Sequence, residues 1–269
     1  MLIVTQEMQP YTALSEISEI ARKLPQHIQE NGMEIRILMP RFGTINERRH
    51  RLHEVVRLSG MNIIVDDDDY PLIIKVASIP EARMQVYFLD NEDFFKRKQI
   101  FKDADDKPFD DNADRMIFFC KGVLETVKKF GWPPDIIHCH GWMTSLVPLY
   151  LKTAYKSEPL FQQSKMVYSV YDKTMEEHFD DSFLTKASIN NLDTSDLDAY
   201  QEDGAIRLHQ GAIAFADGLV RGSENLDDDI SAVLNKTDKP VLPYEGDPEK
   251  LFPACMEFYN ALFPEEVSE

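Results

Sequence analysis

The stretch that most limits what this chain can fold into is Pro134-Asp135-Ile136-Ile137-His138-Cys139-His140-Gly141-Trp142-Met143-Thr144-Ser145-Leu146-Val147-Pro148-Leu149-Tyr150-Leu151. A β-branched pair, Ile136-Ile137, opens it. Gly141 breaks the run, and Leu146, Leu149 and Tyr150 then recur at helical spacing. Buried strand, tight turn and helix form the repeating unit of a parallel α/β sheet. In an open sheet of that kind the ligand crevice lies beyond the carboxyl ends of the strands, so His138 to Gly141 are expected to line it.

The flanking segments extend the unit. Leu2 to Thr5 reads as a short buried strand. After Pro10 the residues Leu14, Ile17, Ile20, Leu24 and Ile28 form one apolar helical stripe, which Asn31-Gly32 ends and in which Pro25 marks a kink or break. Glu34 to Met39 is a second strand, closed by Pro40, which completes a right-handed β-α-β crossover. Residues 41–90 differ: Val55-Val56, Ile63 to Val65, Leu72 to Val76 and Val86 to Leu89 are strand runs with no long helix between them. Asp66 to Asp69 is their hairpin tip, because four consecutive Asp lack the alternating spacing and glycine of a calcium loop.

Further on, Met116, Phe119, Val123 and Val127 predict a helix from Asn112 to Phe130, stopped by Gly131. Met166 to Tyr171 is a strand, and the acidic residues 172–200 are expected to be a long surface excursion. Ala205 to Phe215 reads as a helix, Gly218 to Val220 as a strand, Leu226 to Leu234 as a helix and Val241-Leu242 as a last strand. Glu249 to Leu262 is a closing helix that wraps back over the sheet, and the tail from Pro264 is expected to fray. The expectation is one domain over 1–269, α/β in class, with a Rossmann-like, doubly wound and mostly parallel sheet. A strand-rich β-hairpin insertion occupies 41–90, and a closing helix with an acidic tail occupies 245–269.

Charge narrows the partners. With 47 Asp and Glu against 29 Lys and Arg the net charge is -18, which repels nucleic-acid phosphates and anionic lipid, so neither nucleic acid nor membrane is expected. Cys120, Cys139 and Cys255 are odd in number and sit among apolar residues, which suits reduced thiols and a cytoplasmic protein. There is no long apolar run and no signal-peptide pattern.

Ordered blocks of residues now carry a resemblance. They are Gln6-Glu7 with Pro10 and Leu24-Pro25; Leu38 to Gly43 with Ile45; and Asp90-Asn91 with Phe95 and Arg97. Next come Asp111 to Ala113 with Arg115 and Phe118-Phe119; Gly131-Trp132 with Pro134 to Trp142; and Phe215-Ala216-Asp217. Over Thr5 to about Ile230 the chain resembles the N-terminal domain of the glycogen and starch synthases, which transfer glucose from ADP-glucose to an α-1,4-glucan. The resemblance implies the first of the two Rossmann-like lobes of a GT-B glycosyltransferase, with a second lobe not contained in this chain. It implies ADP-glucose or an α-glucan as ligand, leaves room for a protein partner, and calls for no cofactor.

Where the family carries its site chemistry, this chain differs. The family's Lys-Thr-Gly-Gly-Leu reads Ala13-Leu14-Ser15-Glu16-Ile17 here, so the cation for the sugar diphosphate is gone and a carboxylate stands at a helix N-terminus. The family's His-Ala-His-Asp-Trp-His-Thr reads His138-Cys139-His140-Gly141-Trp142-Met143-Thr144, and its Ile-His-Asn reads Val170-Tyr171-Asp172. The Tyr that follows the Asp-Asn pair in the family is Phe94. No residue is therefore assigned to catalysis.

The candidate ligand crevice is Ser15, Glu16, His138, His140, Trp142, Tyr171 and Asp172. His138 and His140 share one strand face, and hydrogen-bonded histidines are preferred there over metal ligands, which lack a third and fourth partner. Cys139 points to the other face from His140, so a Cys–His nucleophile fails on geometry. Trp142 either stacks on a sugar or packs the helix against the sheet. His178, Asp180 and Asp181 are expected to be solvated. The preferred function is a synthase-like lobe of glucan metabolism that binds or regulates without glucosyl transfer of its own. The alternatives are a functional synthase subunit whose second lobe is a separate chain, and an unrelated small-molecule enzyme that reuses the crevice.

Overall fold

The computed structural model describes residues 1–79, 82, 84–172, 174–175 and 178–263. The first half of the chain forms β1 (Leu2–Thr5), α1 (Ile17–Glu30), β2 (Arg36–Pro40), α2 (Glu47–His50), β3 (His53–Glu54), β4 (Met61–Val65), β5 (Asp68–Ile79), β6 (Met84–Asp90), α3 (Glu92–Phe95) and α4 (Asn112–Phe130). The second half forms β7 (Ile136–His140), α5 (Leu146–Lys152), β8 (Lys165–Val170), α6 (Ser182–Ala187), β9 (Gln201–Glu202) and β10 (Ala205–Ile206). It closes with α7 (Leu208–Phe215), β11 (Gly218–Arg221), α8 (Asp228–Lys236), β12 (Val241–Leu242) and α9 (Pro248–Ala261).

The central sheet has the order β12-β11-β8-β7-β1-β2-β6-β5-β3, with β4 on β5. From β12 to β6 every neighbour is parallel; β5, β3 and β4 add an antiparallel flank. The parallel strands are buried on both faces (Leu2, Ile3, Ile37, Leu38, Ile137 and Cys139 are all 0% exposed), which is why they read as continuous apolar runs. After β1 the chain builds outward through β2 and β6, then returns to the other side of β1 as β7. The strand order therefore reverses between β1 and β7, where Thr5 faces His140. The α/β class and the doubly wound sheet agree with the sequence reading.

Several local expectations are corrected. Among the described residues of 172–200, Phe183, Ala187, Ile189, Leu197 and Tyr200 are all buried, so the segment is anchored to the core and is not a surface excursion throughout. Tyr200 donates to the Ser145 carbonyl (2.7 Å) and Tyr150 to that of Ala187 (2.9 Å), which pins the segment to α5. The Asp residues between those apolar anchors masked the pattern. Ala205-Ile206 is a strand paired with Gln201-Glu202 across Asp203-Gly204, and the helix starts only at Leu208. The strand placed at Val55-Val56 lies at His53–Glu54, and Val56 is 78% exposed. Helix α1 starts at Ile17, not Leu14, and runs through Pro25. The hairpin turn shrinks to Asp66-Asp67, with Asp66 at positive φ. The expected frayed tail from Pro264 lies outside the described residues.

Candidate functional site

At the switch point the carboxyl ends of β1 and β7 are closed by their own side chains. Gly141 has φ 91°, a conformation that costs an L-residue dearly, and a Cβ there would sit 2.4 Å from the Gln6 side chain. Gln6 uses that space to accept a hydrogen bond from the Met143 N–H (3.2 Å). With Gln6 in this place, the position that is aspartate in the resembled motif has no room for a side chain.

Next to it, Glu7 is fully buried, and its carboxylate accepts from the N–H groups of Leu14 and Ser15 (2.9 Å for Ser15) and from the Ser15 hydroxyl. Those N–H groups lead into α1, where an external anion would otherwise be drawn. They hold an internal carboxylate instead, and this tether leaves the Leu14 side chain outside the helix and 50% exposed. Glu16 reaches across the sheet edge. It accepts from Ser223 Oγ at 2.8 Å, and the same Oγ accepts from the Asp172 N–H at 3.2 Å. The start of α1 is thereby strapped to the loops after β8 and β11.

The rings of His138 and His140 lie 4.0 Å apart between centroids, tilted by 38° to each other, and are fully buried. His138 bonds Tyr259 of α9 through Nδ1 (2.8 Å) and Ser169 through Nε2 (2.7 Å). His140 bonds the Tyr171 hydroxyl through Nδ1 (2.9 Å). Burial pushes both pKa values down, that of His140 to about 3, so both rings are neutral at pH 7. Burial likewise drives the Tyr171 phenol up and out of range for proton transfer near neutrality.

The structure divides the seven candidate residues between two spaces. Ser15, Glu16, Trp142, Tyr171 and Asp172 line an open cleft of about 1250 Å³, whereas His138 and His140 line a smaller cavity beside it, together with Glu16 and Tyr171. Trp142 is 3% exposed and packs on Phe101 and Phe179, so its ring is mostly wall. Met143 is fully buried, and Phe94 lies against Tyr70 and Phe118. Neither lines the cleft. Charge in the cleft is one-sided: Glu7, Glu16, Asp172, Asp180, Asp181, Glu224 and Asp227 face Lys102 and Arg207. His178, Asp180 and Asp181 are exposed on its rim. Sequence reasoning missed Gln6 and Glu7 as site residues, although they directly follow the first strand. It missed Ser169, Ser223 and Tyr259 too, which carry no local signal. Among the described residues no group of three or more His, Cys, Asp or Glu is placed to hold a metal ion. No helix among them is long and apolar enough to cross a membrane.

The sequence model of the family described as Starch synthase catalytic domain matches residues 1–234. The chain belongs to that family. A glycogen synthase of Chlorobaculum tepidum is 38% identical to this synthase-type lobe over 228 residues, covering 83% of the chain and 45% of that protein. One of Pelodictyon phaeoclathratiforme is 41% identical over 172 residues, covering 64% of the chain and 35% of that protein. The chain thus spans less than half the length of these relatives. The catalytic domain of Starch Synthase IV from Arabidopsis thaliana, solved bound to ADP and acarbose, superposes with a TM-score of 0.74 at 20% identity, over 90% of this chain and 50% of that one. That likeness supports the GT-B type of fold.

Proposed function

We propose that this starch synthase-type lobe serves glucan metabolism in the cytoplasm by binding, without glucosyl transfer by its own residues, and that its cleft takes the neutral α-glucan in preference to the anionic sugar nucleotide. The observation that carries this is Glu16. Where the family has glycine at a phosphate-facing helix start, the chain has a carboxylate bonded to Ser223 across the cleft. A phosphate brought to contact distance there meets repulsion of about 1–4 kcal/mol, and Ala13 offers no cation to offset it. Glu7 already occupies the N–H groups of Leu14 and Ser15. A neutral glucan escapes the repulsion and finds hydroxyl partners in the same acidic rim.

Calorimetric titration of the purified chain with ADP, ADP-glucose and maltoheptaose tests this, beside a glycogen-labelling assay. Maltoheptaose is expected to bind and raise the melting temperature, with ADP binding far more weakly. Incorporation of glucose from ADP-glucose above background would overturn the reading.

A further inference from the structure

Among the described residues four large apolar side chains stand exposed, and two of them, Leu14 and Tyr244, line the cleft, where carboxylates otherwise dominate. The phenyl and indole rings of that lining are already packed: Phe101 on Trp142, Trp142 on Phe179, and Phe179 on Phe183. Tyr171 is buried, and a Cβ at Gly222 would stand 2.5 Å from its ring. Tyr244 differs from all of these. It is 39% exposed, no other ring packs on it, and its hydroxyl makes no hydrogen bond among the described residues.

The chain fixes this ring from both sides. Just before it, β12 pairs with β11, Leu242 opposite Val220. Just after it, Asp247 caps α9 by accepting from the Glu249 N–H at 3.0 Å, and the Asp247 N–H donates to Glu245 at 2.9 Å. Between these anchors the hydroxyl edge of the ring lies against Gly246, where a Cβ would come within 3.2 Å of Oη. A tyrosine has only two side-chain torsions, so a ring held this way has little freedom left to lose on binding.

Glu16 stands with Tyr244 on the wall that the cleft shares with the smaller cavity. Its Oε1 accepts from Ser223, and its Oε2 has no partner among the described residues. An exposed ring and an open carboxylate oxygen on one wall match a ligand that is apolar on its face and carries hydroxyl donors at its rim. A pyranose has that form, with C–H groups on its faces and O–H groups around them.

We infer that Tyr244 is the platform on which the cleft seats one glucosyl residue, its ring stacked on the C–H face of the pyranose while a hydroxyl of that residue donates to Glu16 Oε2. The inference rests on the glucan reading above and adds the place of contact. Stacking takes apolar surface of both rings out of water, and a hydroxyl bonded to a carboxylate is stronger than a neutral pair. Tyr244 lies beyond residues 1–234, the stretch matched by the family's sequence model, so membership in the family assigns it nothing.

Calorimetric titration with maltoheptaose of the unaltered chain and of three variants tests this, each variant checked for its fold by circular dichroism. Tyr244→Ala should weaken binding about tenfold, whereas Tyr244→Phe, which keeps the ring face, should stay within about threefold of the unaltered chain. Glu16→Gln should weaken it about threefold by removing the charge from the acceptor. With ¹³C-labelled tyrosine rings, the signal missing from Tyr244→Phe is that of Tyr244, and maltoheptaose should shift it. Undiminished affinity in Tyr244→Ala or in Glu16→Gln, or a Tyr244 signal unmoved at saturation, would overturn this inference and leave the glucan reading standing. No binding of maltoheptaose to the unaltered chain would overturn both.

Discussion

Arg115 and His140 are both fully buried polar side chains, and the structure surrounds them in opposite ways. Arg115 donates from Nε to the Phe94 carbonyl (2.8 Å) and from Nη1 to Asn112 Oδ1 (2.7 Å), with the rings of Phe42, Phe95, Phe101 and Phe109 within 5.4–5.9 Å of its guanidinium. Around it, Asn91 accepts from the N–H groups of Asp93 and Phe94, Arg97 clamps Asp111, and Asp90 joins Arg41 and Lys75. These contacts fix loops and strand ends. Arg41, Phe42, Asp90, Asn91, Phe95, Arg97, Asp111, Asn112 and Arg115 among them belong to the blocks that carry the family resemblance. His140, by contrast, sits among changed positions: Gly141, Met143 and Tyr171 on one side, Glu16 on the other. The resemblance is therefore strongest where the residues hold the fold together and weakest where they would meet a substrate. Membership in the family follows from the first region, and chemistry would have to follow from the second.

Acidification breaks the His region before the Arg region, and it has the largest expected effect. His138, His140 and His209 are buried with lowered pKa values, about 3 for His140 and about 4 for His209. The unfolded chain takes up protons on these rings below pH 6.5 while the folded one does not. Stability is therefore complete above 6.5 and falls as the pH drops toward 4, by about 1.4 kcal/mol per unit for each ring. At pH 5 His140 and His209 together should remove about 4 kcal/mol, with His138 adding to the loss, read as a fall of the urea midpoint. A flat profile from pH 7 to 5 would show that the rings are not dry.

Arg115→Ala tests the other cluster. It removes the donors to the Phe94 carbonyl and to Asn112 Oδ1 and leaves a void among four rings, and it should cost about 4 kcal/mol by chemical denaturation. A loss below about 1 kcal/mol would mean that this cluster does not hold the fold. Gly141→Asp restores the resembled residue but meets positive φ and the Gln6 side chain, and it should lose about 2 kcal/mol without gaining transfer activity. The smallest effect is expected from Ala13→Lys with Ser15→Gly and Glu16→Gly, made together. Removing one negative charge and adding a cation should tighten ADP binding about tenfold, near 1.4 kcal/mol, in a calorimetric titration. No tightening would move the difference between the regions away from the start of α1.

Much of the architecture was legible because its signals are local. The helix at Asn112–Phe130 follows from Met116, Phe119, Val123 and Val127 on one stripe and from Gly131, which takes the left-handed conformation. Residues 172–200 were misread because anchors such as Phe183 and Tyr200 are scattered among acids, and no period links them. For the site, residue types and the crevice end were legible, but their partition was not. Nothing near Tyr259 announces that its hydroxyl bonds a histidine 121 residues earlier. Nothing near Ser223 announces its bond to Glu16.

Sequence alone determined the alternation of strands and helices, the burial of the parallel strands and the loss of a cation at Ala13, since spacing and residue identity are properties of the chain itself. Only the tertiary structure decided that Glu7 fills the N–H groups before α1, that Glu16 closes on Ser223, and that one ring nitrogen of His140 is buried without a hydrogen-bond partner. Hydrogen bonds between distant segments depend on where packing of the sheet and of α9 brings their ends, and no local pattern encodes that distance.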